Sequence, residues 1–509
     1  MPSLRHTHFH GDRASTQAVV HRRHHVGSRT LLTLAIETSC DDTCVAVLSK
    51  DPGPGGRATL HFNSKVTCDS TAYGGVYPPV ALRSHDAHLA PLVAEALAAL
   101  PPIEQRPRVH DDDTPGVIAG GSAASDSHGG GVMTVSGVPR QMPTFVTVTR
   151  GPGMSANLGS GLATAKGLAA AWQVPLLAVN HMQAHALTPR LVSALNWSLP
   201  APSPSSPPPL HHHPPAAAAA SAPIPLTPEY PFLTLLVSGG HTQLVHSCSL
   251  TDHRILATTV DVAVGDALDK AARHILPPDM LASHGDVMYG ALLERFAFPG
   301  SSPASTPSPP QEYDYEYTPP FRRIDEIATY TSPYSWTLTP PLAASRALSY
   351  SFVGLGSQIH KIVASKNGGG SDDTMPLDER RCLARAAMRL LFEHLASRVL
   401  IALAAEPELR DAVRTLVVSG GVASNRFLMH VLRKTLDVRG AAHIGLTAPP
   451  PALCTDNAAM IAWTGMEMYE AGWESDLSVH VQRKWSIDPA SDEGGILGLG
   501  GWVRRKSSE

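Results

Sequence analysis

Short continuous apolar runs alternate along this chain with longer stretches whose apolar residues recur at helical spacing. "LLTLAIETS" (31–39) reads as a buried strand, and "CVAVLS" (44–49) as a second one after a tight acidic turn. "DAHLAPLVAEALAAL" (86–100) has helical spacing. "TFVTVTR" (144–150) is a strand that ends in Gly-Pro-Gly and leads into the helix former "LGSGLATAKGLAAAW". "PLLAVN" (175–180) is a strand that delivers His181 at its C-terminal end. "FLTLLVSGG" (232–240) and "HTQLVHS" (241–247) read as two strands about a Gly-Gly turn. "AVGDALDKAARHIL" and 379–405 read as helices, and 415–436 as strand, glycine turn and helix. Strand and helix in alternation imply an α/β protein. "VSGG" occurs at 237–240 and again at 418–421, each time behind a run of leucine and β-branched residues. This echo suggests one strand–SGG turn in each of two related lobes facing a cleft.

Four stretches break the pattern: 101–142, 200–228 with its eleven prolines, 300–320, and 366–378 with "KNGGGSDD". Such compositions bury too little apolar surface to offset ordering entropy, so they are expected to be disordered surface insertions. The first 30 residues hold five arginines and one acid, Asp12, which reads as an organelle transit leader. The expected organisation is therefore a leader (1–30), a first lobe (31–180), a second lobe (181–475) and a C-terminal tail (476–509). Charged residues make up 17% and the net charge is −4, so a nucleic-acid partner has to be held by a local patch. Six scattered cysteines without a C-x-x-C pair fit a reducing compartment and exclude a zinc ribbon. No apolar run approaches the roughly 18–20 residues that span a bilayer, so no membrane partner is expected.

The chemistry begins at "VNHMQAH" (179–185). His181 and His185 lie four apart, on one face of a helix, as metal ligands do. In a zinc protease the residue after the first histidine is the glutamate base. Here it is Met182, and neither Gln183 nor Ala184 is acidic, so the hydrolytic reading has no base. A metal is still compatible with the pair, given a third ligand from elsewhere. Asp456, in "LCTDNAAMIAWTG", is an acid that equally suits a helix cap. Ser238, Gly239 and Gly240, like Ser419, Gly420 and Gly421, are glycine turns after strands that let a backbone approach a phosphate. Asp41 and Asp42, in "ETSCDDT", are paired acids on a turn, fit to orient a cation or take a proton or simply to make a turn.

"LAIETSCDDTCVAVLS", "VTRGPGMSANLGSGLATAKGLA", "VNHMQAHAL", "LLVSGGHTQLV", "GDALDKAARHIL", "VVSGGVASNRFL" and "PPPALCTDNAAMIAW" stand in the order seen in one family. The chain resembles the universal tRNA threonylcarbamoyladenosine transferases, once described as O-sialoglycoprotein endopeptidases or glycoproteases. The likeness runs over most of 31–475. "VSGGHTQL", with His241, resembles the bacterial and mitochondrial branch, whereas the archaeal and cytosolic branch usually has Asn there.

The resemblance implies a two-lobed actin-like ATPase fold of the sugar kinase and Hsp70 kind, interrupted by the insertions. It implies transfer of a threonylcarbamoyl group from threonylcarbamoyl-AMP to N6 of the adenosine 3′ to the anticodon in tRNAs reading ANN codons. By matching positions, His181, His185 and Asp456 would hold one divalent metal ion per subunit, iron or zinc. Val237, Ser238, Gly239, Gly240 and His241 would cradle the adenylate, and Asp269 and Gly290 would bind the ribose. Asn425 would sit by the base or ribose, and Asp41 is the candidate proton acceptor. Implied partners are tRNA, threonylcarbamoyl-AMP with the synthase that makes it, and a second copy of the chain, in mitochondria. Three motifs depart from the family's form: "YGGVVPE" is "YGGVYPP" (73–79), "FSGLKT" is "FVGLGSQ" (352–358), and "PGGP" is "MYGA" (288–291). The competing classes are a metal-dependent glycoprotease and an inactive actin-like nucleotide-binding platform.

Overall fold

The computed structural model describes residues 30–53, 55–73, 75–103, 131–195, 225–285, 288–299, 313–366 and 375–505. The expected leader, most of 101–142, 200–224, 300–312 and 367–374 lie outside the described residues. Leu31–Glu37 is buried almost throughout, being paired on both edges and covered by helices on both faces. It pairs antiparallel with Asp42–Lys50, which pairs antiparallel with Ala58–Thr67. On its other side it runs parallel to Phe145–Gly151, and that strand runs parallel to Leu176–Asn180.

The second sheet repeats this plan. Phe232–Val237 pairs antiparallel with Thr242–Ser247, and that strand with His253–Thr259. On the other side Phe232–Val237 runs parallel to Thr415–Ser419, followed by Gly445–Thr447. The same five-strand order in the same directions, once in each sheet, is the two-lobed actin-like α/β fold expected.

The duplication is real, but the VSGG echo does not mark it. Both SGG turns belong to the second sheet. Phe232–Val237 and Thr415–Ser419 are parallel neighbours, with Ser419 opposite Leu236, so the two turns lie side by side at one sheet end. The counterpart of the Ser238–His241 turn in the first lobe is the acidic turn at 38–41, since each joins the first two strands of its sheet.

Helices Pro78–Ala98 and Ser155–Trp172 cover the outer face of the first sheet, burying Leu89, Leu92, Leu162 and Ala165 against Ile36, Val45 and Val148. His181–Ala194 and Ala458–Glu470 lie between the sheets, sharing one core with Ala35 and Ala46 of the first and Leu236 and Val417 of the second. Long helix Leu377–Ala405 and helices Val264–Ile275 and Arg426–Val438 pack in the outer core of the second sheet. Burial on both faces is why these strands read as continuous apolar runs.

Strand pairing divides the chain differently from the expected cuts at 180/181 and 475/476. Trp473–Ser475 pairs with Leu176, and Trp502–Arg504 pairs with Trp473–Ser475, so the C-terminal segment extends the first sheet. Two of the expected insertions also fold in part. Val132–Val135 and Val138–Gln141 form a hairpin, and Tyr313 and Tyr315 are buried against Phe427 and His430. Aromatic rings supply the apolar area that the surrounding Pro/Ser composition lacks. Among the described residues no helix is long and apolar enough to cross a membrane.

Candidate metal centre

Strand Leu176–Asn180 runs directly into helix His181–Ala194, and Asn180 makes the junction. Its side-chain oxygen accepts from the Met182 and Gln183 amides at 2.8 and 3.1 Å, capping the helix. This fixes His181 in the first turn and places His185 one turn on, with ring centroids 4.7 Å apart. Their Nε2 atoms lie 3.5 and 3.1 Å from one oxygen, Oδ1 of Asp456. Asp456 is not the helix cap that its position also allowed. Asn457 caps Ala458–Glu470, accepting from the Met460 amide at 3.0 Å, and Asp456 is left to face the histidines. Ligand atoms of the three residues lie within 4.8 Å of one another, and among the described residues they form the only His/Cys/Asp/Glu group of this kind.

Glu37 completes the shell. Its Oε2 lies 3.2 Å from Nδ1 of His181 and also accepts from the Thr149 hydroxyl, while Oε1 accepts from the Ser39 amide at 2.6 Å. A carboxylate behind an imidazole fixes which nitrogen faces the ion and raises its basicity. Burial opposes charge at His181, but Glu37 and Asp456 outweigh it and hold the imidazole well above the ordinary histidine range. Burial likewise opposes the charge of Asp456, yet His181 and His185 keep its carboxyl well below the usual range. Two carboxylates around two buried imidazoles, Glu37 buried and Asp456 partly exposed, therefore attract positive charge. A dication bound by two nitrogens and one oxygen satisfies that demand and displaces the His181 proton. The donor set thus fits a metal ion.

The remaining candidates fall on the two SGG turns, on the acidic turn and on helices of the second lobe. Burial lowers the His241 imidazole to about 4, and the charges of His181 and His185 add to the effect. The Ser419 hydroxyl, at the end of the strand beside Phe232–Val237, donates to the His185 carbonyl at 2.9 Å, which sets this sheet end against the histidine helix. Ser238 Oγ accepts from the Gly240 and His241 amides at 3.3 and 3.0 Å, which tightens the turn. The Cα faces of Gly239 and Gly240 have no atom within 4 Å of an added Cβ and are open to a ligand. Behind the turn Gly420, at φ +100°, brings its Cα so close that a Cβ would lie 2.5 Å from the Val237 carbonyl oxygen.

Asp269 and Gly290 are in contact. Oδ1 of Asp269 accepts from the Tyr289 and Gly290 amides at 2.7 and 2.9 Å, and burial pushes its carboxyl up to about 6. Asn425 is buried, and its side-chain oxygen caps Arg426–Val438 through the Leu428 amide at 3.0 Å. Of the acidic pair, Asp42 is held by Lys65 at 2.9 Å and Thr67 at 2.5 Å. Burial, then the neighbouring Asp42 and the more distant Asp456, raise the Asp41 carboxyl.

Glu37, His85 and Arg190 escaped the sequence reading. His85 bridges the Thr43 hydroxyl and the Cys40 carbonyl at 2.7 and 3.0 Å, holding the acidic turn in place. Glu37 carried a signal, since a charge closing the apolar run "LLTLAIE" has to be paired once buried.

A family model described as tRNA N6-adenosine threonylcarbamoyltransferase matches residues 132–202, 209–306 and 308–463, well over half of the chain. A mitochondrial tRNA N6-adenosine threonylcarbamoyltransferase of Schizosaccharomyces pombe is 32% identical over 499 residues, covering 94% of this chain and 91% of its own. The tRNA N6-adenosine threonylcarbamoyltransferase of Sphingopyxis alaskensis is 30% identical over 461 residues, 91% of this chain and 97% of its own. Among solved structures the likeness is slight: HypF of T. kodakarensis matches over 87% of this chain and 48% of its own at 13% identity and a TM-score of 0.38. On the strength of the family match and these relatives, the chain belongs to the tRNA N6-adenosine threonylcarbamoyltransferase family and is a tRNA-modifying transferase.

Proposed function

We propose that the enzyme transfers threonylcarbamoyl from threonylcarbamoyl-AMP to N6 of the adenosine 3′ to the anticodon in tRNAs reading ANN codons. One divalent ion, zinc or iron, would be held by His181, His185 and Asp456. The observation that carries this reading is the convergence of both imidazole Nε2 atoms on Asp456 Oδ1, with the Ser238–His241 turn alongside. Two imidazoles and a carboxylate suit zinc or ferrous iron better than magnesium, which prefers oxygen ligands. When bound, such an ion supplies Lewis-acid polarisation of phosphate and carbonyl oxygens.

The chain's own residues would do the rest. The Ser238–Gly240 turn presents backbone to the adenylate phosphate, because the faces of Gly239 and Gly240 are open. Asp269, its Oδ1 held by two amides, is a carboxylate above about pH 6 and can accept from a ribose hydroxyl. Asn425 has committed its oxygen to the helix cap, so it offers its amide NH2 to a ligand. Adenine N6 attacks the carbamoyl carbon, the bond from that carbon to the phosphate oxygen breaks, and AMP leaves with the electron pair. Asp41, made more basic by burial and by Asp42, takes the proton from N6. N6 is a weak nucleophile, so holding both substrates in line contributes much of the rate.

The S. pombe relative's name and the arginine-rich residues 1–30 support a mitochondrial location. The test is transfer onto an unmodified tRNA transcript, read by nucleoside mass spectrometry with metal content measured in parallel. Modified adenosine that disappears with chelation and returns with zinc or ferrous iron is expected. Metal-independent transfer would overturn the metal assignment.

A further inference from the structure

The second lobe also holds a cavity that shares no lining residue with the candidate metal centre. With a volume of about 480 Å³, it lies between segment 317–326, segment 340–346 and the long helix Leu377–Ala405. Its lining includes Arg323, Arg346, Arg389, Arg398 and Arg439, with Phe321 among them. Three acids, Asp325, Glu326 and Glu393, line it too, so arginines exceed carboxylates. Arg323 and Arg389 are paired with Glu326 and Glu393 at 2.5 and 2.9 Å. Arg439 meets a neutral group, the Tyr317 hydroxyl at 2.9 Å, and Arg346 stands 3.9 Å from Glu326.

Arg398 is the centre of the argument. It is only 4% exposed, and its bonds go to neutral oxygens: the Ser349 and Ser345 carbonyls at 3.0 and 3.2 Å and the Ser397 hydroxyl at 2.9 Å. No carboxylate hydrogen-bonds it; Glu326 acts on it only at longer range, so a directly bound anion would offset more of the cost of its burial. Beside it His394, also 4% exposed, accepts from the Ser351 amide at Nε2, at 3.3 Å. In the neutral ring the proton is then on Nδ1, a buried atom with no hydrogen-bond partner. A buried guanidinium whose hydrogen bonds go only to neutral oxygens and a buried ring donor without an acceptor line one cavity, and a multiply accepting anion would serve both. Phe321 is 95% exposed and offers a face on which a base can stack.

We propose that this cavity is a nucleotide-phosphate site that the tRNA substrate engages away from the reacting adenosine, a phosphodiester meeting Arg398, Arg346 and Arg439 and an unstacked base lying on Phe321. The placement suits a large substrate. Helix Arg426–Val438 begins at Asn425 beside the candidate substrate site and ends at Arg439 on the cavity, a span of about 20 Å at 1.5 Å per residue. With a net charge of −4 the chain has no global basic field to hold RNA, so a local patch has to do it.

The inference rests on the tRNA-modifying reading. Its test is direct binding of an unmodified tRNA transcript to the full chain, at several salt concentrations, for wild type, Arg346→Ala/Arg439→Ala and Phe321→Ala. These side chains are exposed and outside the catalytic machinery. The double variant should bind tRNA roughly ten-fold more weakly, with a salt slope shallower by about one to two, as the loss of one or two phosphate contacts requires. Phe321→Ala should weaken binding with the slope unchanged. The KM for threonylcarbamoyl-AMP should stay at the wild-type value. Wild type that fails to bind tRNA would overturn the functional reading itself. Variants that bind tRNA as wild type does, with the same slope, would overturn this site alone. Saturating AMP that fills the cavity without displacing tRNA would assign the site to a free nucleotide and overturn the tRNA source.

Discussion

Oε2 of Glu37 stands 3.2 Å from Nδ1 of His181, so a strand end in the first lobe orients an imidazole that faces Asp456 near the second. Glu37→Ala removes that brace and keeps all three candidate ligands. The expected result is metal affinity lower by about 10–100-fold, the usual cost of losing an outer carboxylate. Competition with a chromophoric chelator measures it, and unchanged affinity would make Glu37 a packing residue only.

The helix carrying both histidines is tied to the helix that follows Asp456 by a buried fork. Arg190 Nε and Nη2 donate to the two Glu467 oxygens at 2.8 and 3.1 Å, and Nη1 donates to the Pro228 carbonyl at 2.8 Å. Glu467→Ala strands a buried guanidinium and should cost about 3–5 kcal/mol in urea unfolding, because one partner of a buried pair has been removed. Metal retention should fall with it, since the fork fixes the spacing of the ligand helices.

Gly420→Ala tests how closely the two SGG turns abut. The residue is at φ +100°, and a Cβ there would meet the Val237 carbonyl oxygen at 2.5 Å. The left-handed conformation alone costs a non-glycine residue about 1–3 kcal/mol. Because the displaced atom belongs to the backbone of the candidate adenylate cradle, KM for threonylcarbamoyl-AMP should rise more than the KM for tRNA.

Acid sensitivity should come in part from His253. Burial lowers its imidazole from 6.5 to about 4, with the Leu250 carbonyl and Asp252 pulling the other way. Its two nitrogens meet Ser247 Oγ and the Leu250 carbonyl at 2.9 and 2.8 Å. A histidine held below its unfolded value contributes fully above about pH 6.5, and that contribution is lost as the pH falls through about 4. Urea unfolding followed from pH 7 to 4 should therefore fall less steeply for His253→Gln than for wild type, by up to about 1.4 kcal/mol per pH unit. Parallel curves would assign the acid loss to other groups.

What the sequence disclosed and what it hid follow one physical division. His181 and His185 were legible because their spacing is local, set by the helix repeat, and the core strands because burial on both faces leaves continuous apolar runs. Ala58–Thr67 escaped because only Ala58 in it is fully buried, so it carries no continuous apolar run. Glu37, His85 and Arg190 escaped because a buried polar group takes its meaning from partners far away in the chain. The VSGG pair misled for the same reason. Identical strings implied two lobes, whereas pairing of Thr415–Ser419 with Phe232–Val237 sets them side by side in one.

The metal assignment yields the sharpest contrast, between residues two apart on one helix. His181 and His185 turn their Nε2 atoms to Asp456, while Gln183 points elsewhere, its amide donating to the Leu250 carbonyl at 2.8 Å. If the three candidate ligands share one ion, alanine at any of them removes a third of the donor set. His181→Ala should then lose bound metal and lower transfer on the order of 10²-fold or more, comparable to deleting an electrostatic catalyst of developing charge. Gln183→Ala should keep its metal, at the stability cost of one hydrogen bond, about 0.5–1.5 kcal/mol, since the Leu250 carbonyl still accepts from His253. A protease built on this helix would need an acid near that position, where this chain has Gln183. Metal content by plasma mass spectrometry, paired with transfer onto an unmodified transcript and a circular dichroism check of the fold, separates the cases. A folded His181→Ala protein that kept both its metal and its rate would reduce the pair to packed core histidines.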